Sequence, residues 1–450
     1  MMTMRFEDVV RWTGATAEGV DLARSVSSIT IDSRTVQPQS LFVALAGTQQ
    51  HGHDFVAEVW HRGGIALVET SFAQTGGPLL RTRSPLDALD QLMRKAIETR
   101  GIKIVGVTGS VGKTSVKELT HQILATQYVT GYSHGNYNTA IGLPLSFFEE
   151  SNEMAWFVAE MAMRQPGEIY RLTQMAPPQV AAITNIGPSH LEQLGSMERI
   201  QAAKGEILDG MPPGGVAILN ADDPRVRELG QRCRHAVRWY GTGPEVDLRI
   251  GDAKVDTRGT HIEFFDGTQT RILDLPWLGK HQAYNAAAAL LIGETVGISF
   301  DRGISALSQI DPVRSRIVTH RVGDVTLIED IYNASPSSMR ASLEVLSTFP
   351  GRKIAVLGDM LELGSAETSG HQEIGVVAGQ RADRVLGVGA RSRALVDAAG
   401  SHAEHRDSLE EAFLWLTETL QPGDVVLLKA SRGMHFEYLV DQIKAWRRPR

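Results

Sequence analysis

Residues 106–119 read GVTGSVGKTSVKEL, and the glycine spacing in this stretch decides the fold. The common nucleotide phosphate loop is G-x-x-x-x-G-K-[ST]. Here the residue five before Gly112 is Val107, so the cradle is the shorter Gly109-Ser110-Val111-Gly112-Lys113-Thr114-Ser115. The apolar run before it predicts a strand over 103–108, and a helix is expected to begin near Lys113. Backbone N–H groups at a helix N-terminus hold phosphate, helped by the helix dipole. Lys113 would reach the outer phosphates and Thr114 would ligate Mg²⁺. A turn that only joins strand to helix has no need of Lys-Thr-Ser at that point.

Outward from the loop, short apolar runs alternate with helical stretches. AWFVAEM, VAAITNI and VAILNADD follow in the middle third, then VTLIEDIY, KIAVLGDM, DRVLGVG and DVVLLKAS in the last third. Continuous Val/Ile/Leu runs alternating with helices predict α/β domains with parallel sheets covered on both faces. Ligands of such sheets gather at the carboxyl ends of the strands. The first 80 or so residues differ: SITIDSRTVQPQSLFVALAG alternates like strand broken by turns and lacks G-x-G-x-x-G. Boundaries are placed after residue 84 and after residue 312, where Asp311-Pro312 breaks the pattern. This gives three domains, 1–84, 85–312 and 313–450. Residues 241–278 read as a small β excursion within the central one.

A chain of 450 residues suggests about three domains. Its net charge of −7 and lack of a basic stripe argue against a nucleic-acid partner. The single cysteine, Cys233, excludes a disulfide framework and fits a reducing cytosol. The N-terminus carries acids and no long apolar core, and no run approaches the roughly 18 apolar residues that span a bilayer. A cytoplasmic protein without membrane insertion is expected.

Three further residues sit where chemistry is expected. Glu160 ends the strand AWFVAE, and His190 follows the strand end AAITNIGPSH; each alone is an ordinary polar strand terminus, but both fall beside the phosphate loop. MERIQAAKGEIL reads as a helix, in which Lys204 lies about 40° from Ile200, inside the stripe of Ile200, Ala203, Ile207 and Leu208. A lysine held against an interior must be paired, neutral or chemically altered, unless it snorkels past the stripe. Carbamylation by CO₂ is one such alteration and yields an anion able to bind metal.

Taken together, GVTGSVGKTS, Glu160, NIGPSHLEQLGS with AAKGEIL, GKHQAYNAAAAL and GDMLELG resemble the Mur ligases of bacterial cell-wall synthesis, in the expected order along essentially the whole chain. The resemblance implies an ATP-dependent amide-bond ligase. Its smaller N-terminal α/β domain would hold a UDP-linked substrate, its central P-loop parallel-sheet domain ATP, and its C-terminal Rossmann-like domain the incoming amine. Carried over by motif, Gly109, Ser110, Val111, Gly112, Lys113, Thr114 and Ser115 would bind the nucleotide. Thr114 and Glu160 would ligate one Mg²⁺, and Glu160, His190 and a carbamylated Lys204 a second. His281 and Asn285 would lie beside the nucleotide, and Arg316 and Asp330 would contact phosphate and ribose on domain closure. Gln282 stands where the family usually has Asn, so the base contact rests on Asn285. Ser315 replaces the Gly that usually precedes the arginine, so Arg314 stands as the alternative to Arg316.

The start of the chain resembles the later-acting members, which makes Ser33 and Arg34 candidates for contact with UDP. The members that add the third residue carry an Asp-Asn-Pro-Arg segment, absent from the last third here. DIYNASPSSM, GDMLELGSAETSGHQEIG and KASRGMHFE, with GNYNTAIGLPL, resemble the branch that adds D-alanyl-D-alanine to UDP-N-acetylmuramoyl-tripeptide. Asn136, Asn138 and Thr139 would contact the peptide stem and Asn333 the dipeptide, although Ser335 replaces a more usual Asn. A monomer is expected. The alternatives are the third-residue ligase, a folylpoly-γ-glutamate synthase, against which the first 84 residues count, and a nucleotide-binding homologue without ligase activity.

Overall fold

The computed structural model describes residues 4–47, 50–188 and 191–446. Its strands form three sheets in chain order. The first has five strands: Ser28–Thr30, Ser40–Val43, Ile65–Glu69 and Leu79–Thr82 run parallel, and Thr16–Glu18 closes one edge antiparallel. The alternation read in SITIDSRT belongs to an edge strand with half-buried residues, whereas SLFV is buried throughout.

Helix Pro85–Arg100 links this sheet to the next. Ser84 caps it by accepting from Asp87 N, Pro85 sits in its first turn, and Gly101 ends it with a left-handed φ of 65°. Its buried face (Ala88, Leu89, Leu92, Met93) shares one cluster with Phe6 and Leu41 on the N-terminal side and with Ala159, Ile183 and Ile207 on the central side. One apolar core therefore runs through the first two regions.

The central sheet has nine strands. Thr130–Tyr132, Trp156–Glu160, Lys103–Thr108, Val180–Ile183, Val216–Asn220 and Ala236–Gly241 lie parallel. The expected β excursion extends this sheet: Leu248–Val255, Thr260–Phe265 and Thr270–Leu275 form an antiparallel ribbon at its far edge. Helix Gln282–Thr295 owes its Ala-rich sequence to close packing. A Cβ at Gly293 would come within 2.6 Å of Ile123 in the helix that follows the phosphate loop, Lys113–Leu124.

The third sheet has six strands, with Val325–Asp330, Val425–Lys429, Lys353–Gly358, Arg384–Val388 and Ala403–Arg406 parallel and Val318–Val322 antiparallel at the edge. Among the described residues no helix is long and apolar enough to cross a membrane.

Candidate active site

Strand Lys103–Thr108 ends in Gly109, whose φ is 146°, and the loop returns into the helix at Gly112, with φ 87°. Neither position tolerates a side chain. A Cβ on Gly109 would lie 1.9 Å from Thr184 Oγ1, and one on Gly112 2.5 Å from Asn285 Oδ1. The loop is clamped from the neighbouring strand end. Thr184 Oγ1 and Asn185 Nδ2 donate to Val111 O at 2.6 and 3.0 Å, while Val111 N donates to Asn185 Oδ1 at 3.0 Å. Ser110 Oγ donates to Gly187 O and accepts from Gly187 N. The compact loop is thus pre-shaped by side chains from a strand seventy residues away.

Two lysines converge on the carbonyl of Gly109: Lys113 Nζ at 2.8 Å and Lys204 Nζ at 3.1 Å. Lys204 is 2% exposed, as its place in the apolar stripe predicts. Burial, with the Lys113 charge beside it, holds its amine well below the ordinary lysine range. Burial also lowers Lys113, and Arg316 adds to this while Glu160 opposes it.

Buried Glu160 joins the elements of the site. Its Oε2 accepts from Thr114 Oγ1 at 2.7 Å and its Oε1 from Asn138 Nδ2 at 2.8 Å. Its backbone N–H donates to Ser133 Oγ at 2.9 Å. From the third sheet's side, Arg316 donates to Thr114 Oγ1 at 2.5 Å, whereas Arg314 lies 3.9 Å from Glu118. Of the two arginines, Arg316 is the one at the loop.

His281 precedes by one helical turn Asn285, whose Oδ1 faces Gly112 and whose Nδ2 donates to Gln282 Oε1 at 2.9 Å. His281 Nδ1 is buried without a hydrogen-bond partner, and burial drops the ring's pKa to about 4, aided by Lys429 and opposed by Asp330. Asp330 accepts from Lys429 Nζ at 2.6 Å and Ser342 Oγ at 2.5 Å. Asn333 gives its carbonyl to the same lysine at 3.0 Å and its Oδ1 to Ala334 N.

Asn136 and Thr139 are exposed in the loop that carries Asn138. Ser33 and Arg34 sit in the first domain, where Ser33 donates to Glu58 at 2.9 Å and Arg34 pairs with Asp32 at 2.7 Å. His190 lies outside the described residues. Sequence reasoning missed Thr184, Asn185, Lys117, Lys429, Tyr332 and Arg432. Lys117 is fully buried in the helix after the loop, donating to Ser133 O at 2.6 Å and pairing with Glu118 at 3.1 Å. The guanidinium of Arg316 lies 3.3 Å from the ring centre of Tyr332, and that of Arg432 lies 5.5 Å from the same centre.

A phosphate loop at the carboxyl edge of a parallel sheet, completed by an arginine from another domain, defines a nucleotide-dependent transferase or ligase site. The comparisons with known proteins agree. The Mur ligase middle domain matches residues 107–293, the Mur ligase glutamate ligase domain residues 314–432, and the Mur ligase family catalytic domain residues 25–96. The chain belongs to the Mur ligase family.

It is 35% identical over 435 residues to the UDP-N-acetylmuramoyl-tripeptide–D-alanyl-D-alanine ligase of Bacillus subtilis, covering 93% of each chain. It is 32% identical over 432 residues to the ligase of that name from Escherichia coli, covering 94% of each. Among solved structures it resembles MurF from Acinetobacter baumannii, with TM-score 0.93, 27% identity and 99% and 100% of the two chains covered. It also resembles MurF ligase from Thermotoga maritima in complex with ADP, with TM-score 0.85, 30% identity and 93% and 97% covered.

Proposed function

We propose that the chain joins D-alanyl-D-alanine to UDP-N-acetylmuramoyl-tripeptide with ATP as phosphoryl donor, releasing ADP and phosphate, as a cytoplasmic step of peptidoglycan precursor synthesis. The observation that carries this reading is the meeting of Thr114, Glu160 and Arg316 at the phosphate loop, in a chain that matches relatives of that name over nearly its whole length. With domains divided after residues 84 and 312, the first would take the UDP substrate, the second ATP and the third the dipeptide.

In this reading the N–H groups of residues 109–115 and Lys113 hold the nucleotide phosphates. Gly109 and Gly112 fit that role, since a Cβ at Gly109 would collide with Thr184 of the clamp and one at Gly112 with Asn285. The unpartnered Nδ1 of His281 and the amide of Asn285 flank the base, while Asp330 awaits the ribose and Lys429 fixes its carboxylate. Thr114 Oγ1 and Glu160 Oε2, hard oxygens 2.7 Å apart, fit one Mg²⁺. Bound there, Mg²⁺ would neutralise charge on the transferring phosphoryl group.

The substrate carboxylate oxygen bonds to the γ-phosphorus as the bond to ADP breaks, which leaves an acyl phosphate. The uncharged dipeptide amine then attacks the acyl carbon, the tetrahedral intermediate collapses as the C–O bond to phosphate breaks, and the nitrogen loses a proton to the departing phosphate. Arg316 supplies positive charge where charge develops, and the third domain shields the acyl phosphate from water. Ser33 and Arg34 orient the uridine end, Asn136, Asn138 and Thr139 the peptide stem, and Asn333 the dipeptide.

Lys204 is suited to carbamylation. A buried amine held well below its ordinary range gives up its proton more readily than a free lysine, and the deprotonated nitrogen can attack CO₂, forming an N–C bond and losing a second proton to solvent. The resulting anion would offset Lys113 and, with Glu160 and His190, take a second metal ion. Acceptor labelled with heavy oxygen in its terminal carboxylate tests the chemistry. Transfer of one label to inorganic phosphate is expected, and phosphate free of label would rule out the acyl phosphate.

A further inference from the structure

Arg432 has no role so far, yet it stands inside the site. It begins the short turn Arg432–Met434 directly after the strand that supplies Lys429. The preceding Ser431 anchors that turn: its N–H donates to Asp359 O at 3.2 Å and its Oγ accepts from Leu361 N at 2.9 Å. The side chain of Arg432 is exposed, and among the described residues it has no carboxylate partner. Its guanidinium lies over the ring of Tyr332, the ring that also carries Arg316.

Two guanidiniums on one ring repel each other unless anions separate them. Arg316 is committed to the loop through Thr114. Arg432 is therefore a cation prepared for a second anion, one ring removed from the phosphate arginine. An arginine fork suits a carboxylate. The dipeptide of the proposed reaction carries one, and its amine must reach the acyl carbon beside the phosphates. Two residues in extended form span roughly 7 Å, and the guanidiniums of Arg316 and Arg432 lie 3.3 and 5.5 Å from the one ring centre of Tyr332, so a dipeptide held at Arg432 by one end has its other end within reach of the Arg316 side.

We propose that Arg432 is a specificity-determining residue that takes the free carboxylate of the incoming dipeptide, with Tyr332 spacing it from Arg316. The inference rests on the dipeptide reading above. Held there, the carboxylate would make the third domain prefer a free acid and would orient the amine at the other end toward the acyl group.

The test is phosphate release by the full chain with ATP, Mg²⁺ and UDP-N-acetylmuramoyl-tripeptide, comparing D-alanyl-D-alanine with its C-terminal amide. Loss of a charge-assisted pair lowers kcat/KM about 10- to 100-fold. The native protein is expected to disfavour the amide by that factor, mainly through KM. Arg432→Gln is expected to lose the same factor on the acid, to treat acid and amide alike, and to keep its KM for ATP within about twofold of native. Arg432→Lys should restore part of the preference. Equal turnover of acid and amide by the native protein overturns the inference alone, as does an Arg432→Gln protein that still prefers the acid. A native protein that turns over neither compound overturns the dipeptide reading on which the inference rests.

Discussion

The guanidinium of Arg316 and the hydroxyl of Thr114, 202 positions apart in the chain, meet at 2.5 Å. The same hydroxyl donates to Glu160. Thr114 thus receives one group from the third domain and gives its proton to another in the central sheet, so the contact joins domain placement to the phosphate loop. Arg316→Ala is expected to lower kcat by about 1000-fold or more, the scale of an arginine that stabilises phosphoryl transfer. The KM for the UDP substrate should change little. Lysine should restore only part of the rate, because it lacks the planar fork. Steady-state rates decide this, and a loss below tenfold would remove Arg316 from the chemistry.

Gly109→Ala tests the pre-shaped cradle. The new Cβ meets Thr184 Oγ1 at 1.9 Å, and φ of 146° is strained for any side chain. A stability loss of about 1–3 kcal/mol and at least tenfold weaker ADP binding are expected, by urea titration and calorimetry. Adding Thr184→Ala should relieve the clash but not the strain, so ADP affinity should recover only in part.

Lys117→Met keeps the volume and removes the charge. The Ser133 carbonyl and the Glu118 carboxylate then lose a partner in a nearly closed site. A loss of about 3 kcal/mol is expected in urea unfolding. Glu118→Gln in the same chain should cost less than the sum of the two single changes, because the pair is coupled.

His281 sets a pH dependence of defined sign. Its folded pKa is near 4 and its ordinary value 6.5. Between those values the unfolded chain binds the proton and the folded one does not. Stability is therefore lost as pH falls from about 6.5 to 4, by up to about 3 kcal/mol. Asp90 works in the opposite direction: burial raises its carboxyl to about 6 despite Arg171, so it favours the folded state at low pH and that contribution disappears as pH rises from 3.8 to about 6. Replacing His281 with Gln should flatten the acid-side loss in thermal melts taken from pH 4 to 7. An unchanged slope would place the titration elsewhere.

What could be read from sequence follows a physical divide. The strand runs, the helix after the phosphate loop and the burial of Lys204 are local patterns, since periodicity and glycine spacing carry them within a dozen residues. The structure bears these out at Lys103–Thr108, Lys113–Leu124 and Met197–Asp209. The clamp of Thr184 and Asn185 on Val111, the Lys429–Asp330 pair and the Tyr332 platform are contacts between distant segments, and no period marks them. A polar pair such as Thr-Asn at the end of an apolar strand was the one local sign of the clamp. Ser315, standing where a Gly usually precedes the arginine, weakens the choice of Arg316 over Arg314 from sequence; only the fold shows which one reaches Thr114.

The most direct measurement is phosphate release from ATP and Mg²⁺ with UDP-N-acetylmuramoyl-tripeptide, comparing D-alanyl-D-alanine, single amino acids and no amine. Release that requires both the tripeptide and the dipeptide is the predicted result. Turnover with UDP-N-acetylmuramoyl-dipeptide and a single amino acid, or release indifferent to any acceptor, would contradict it.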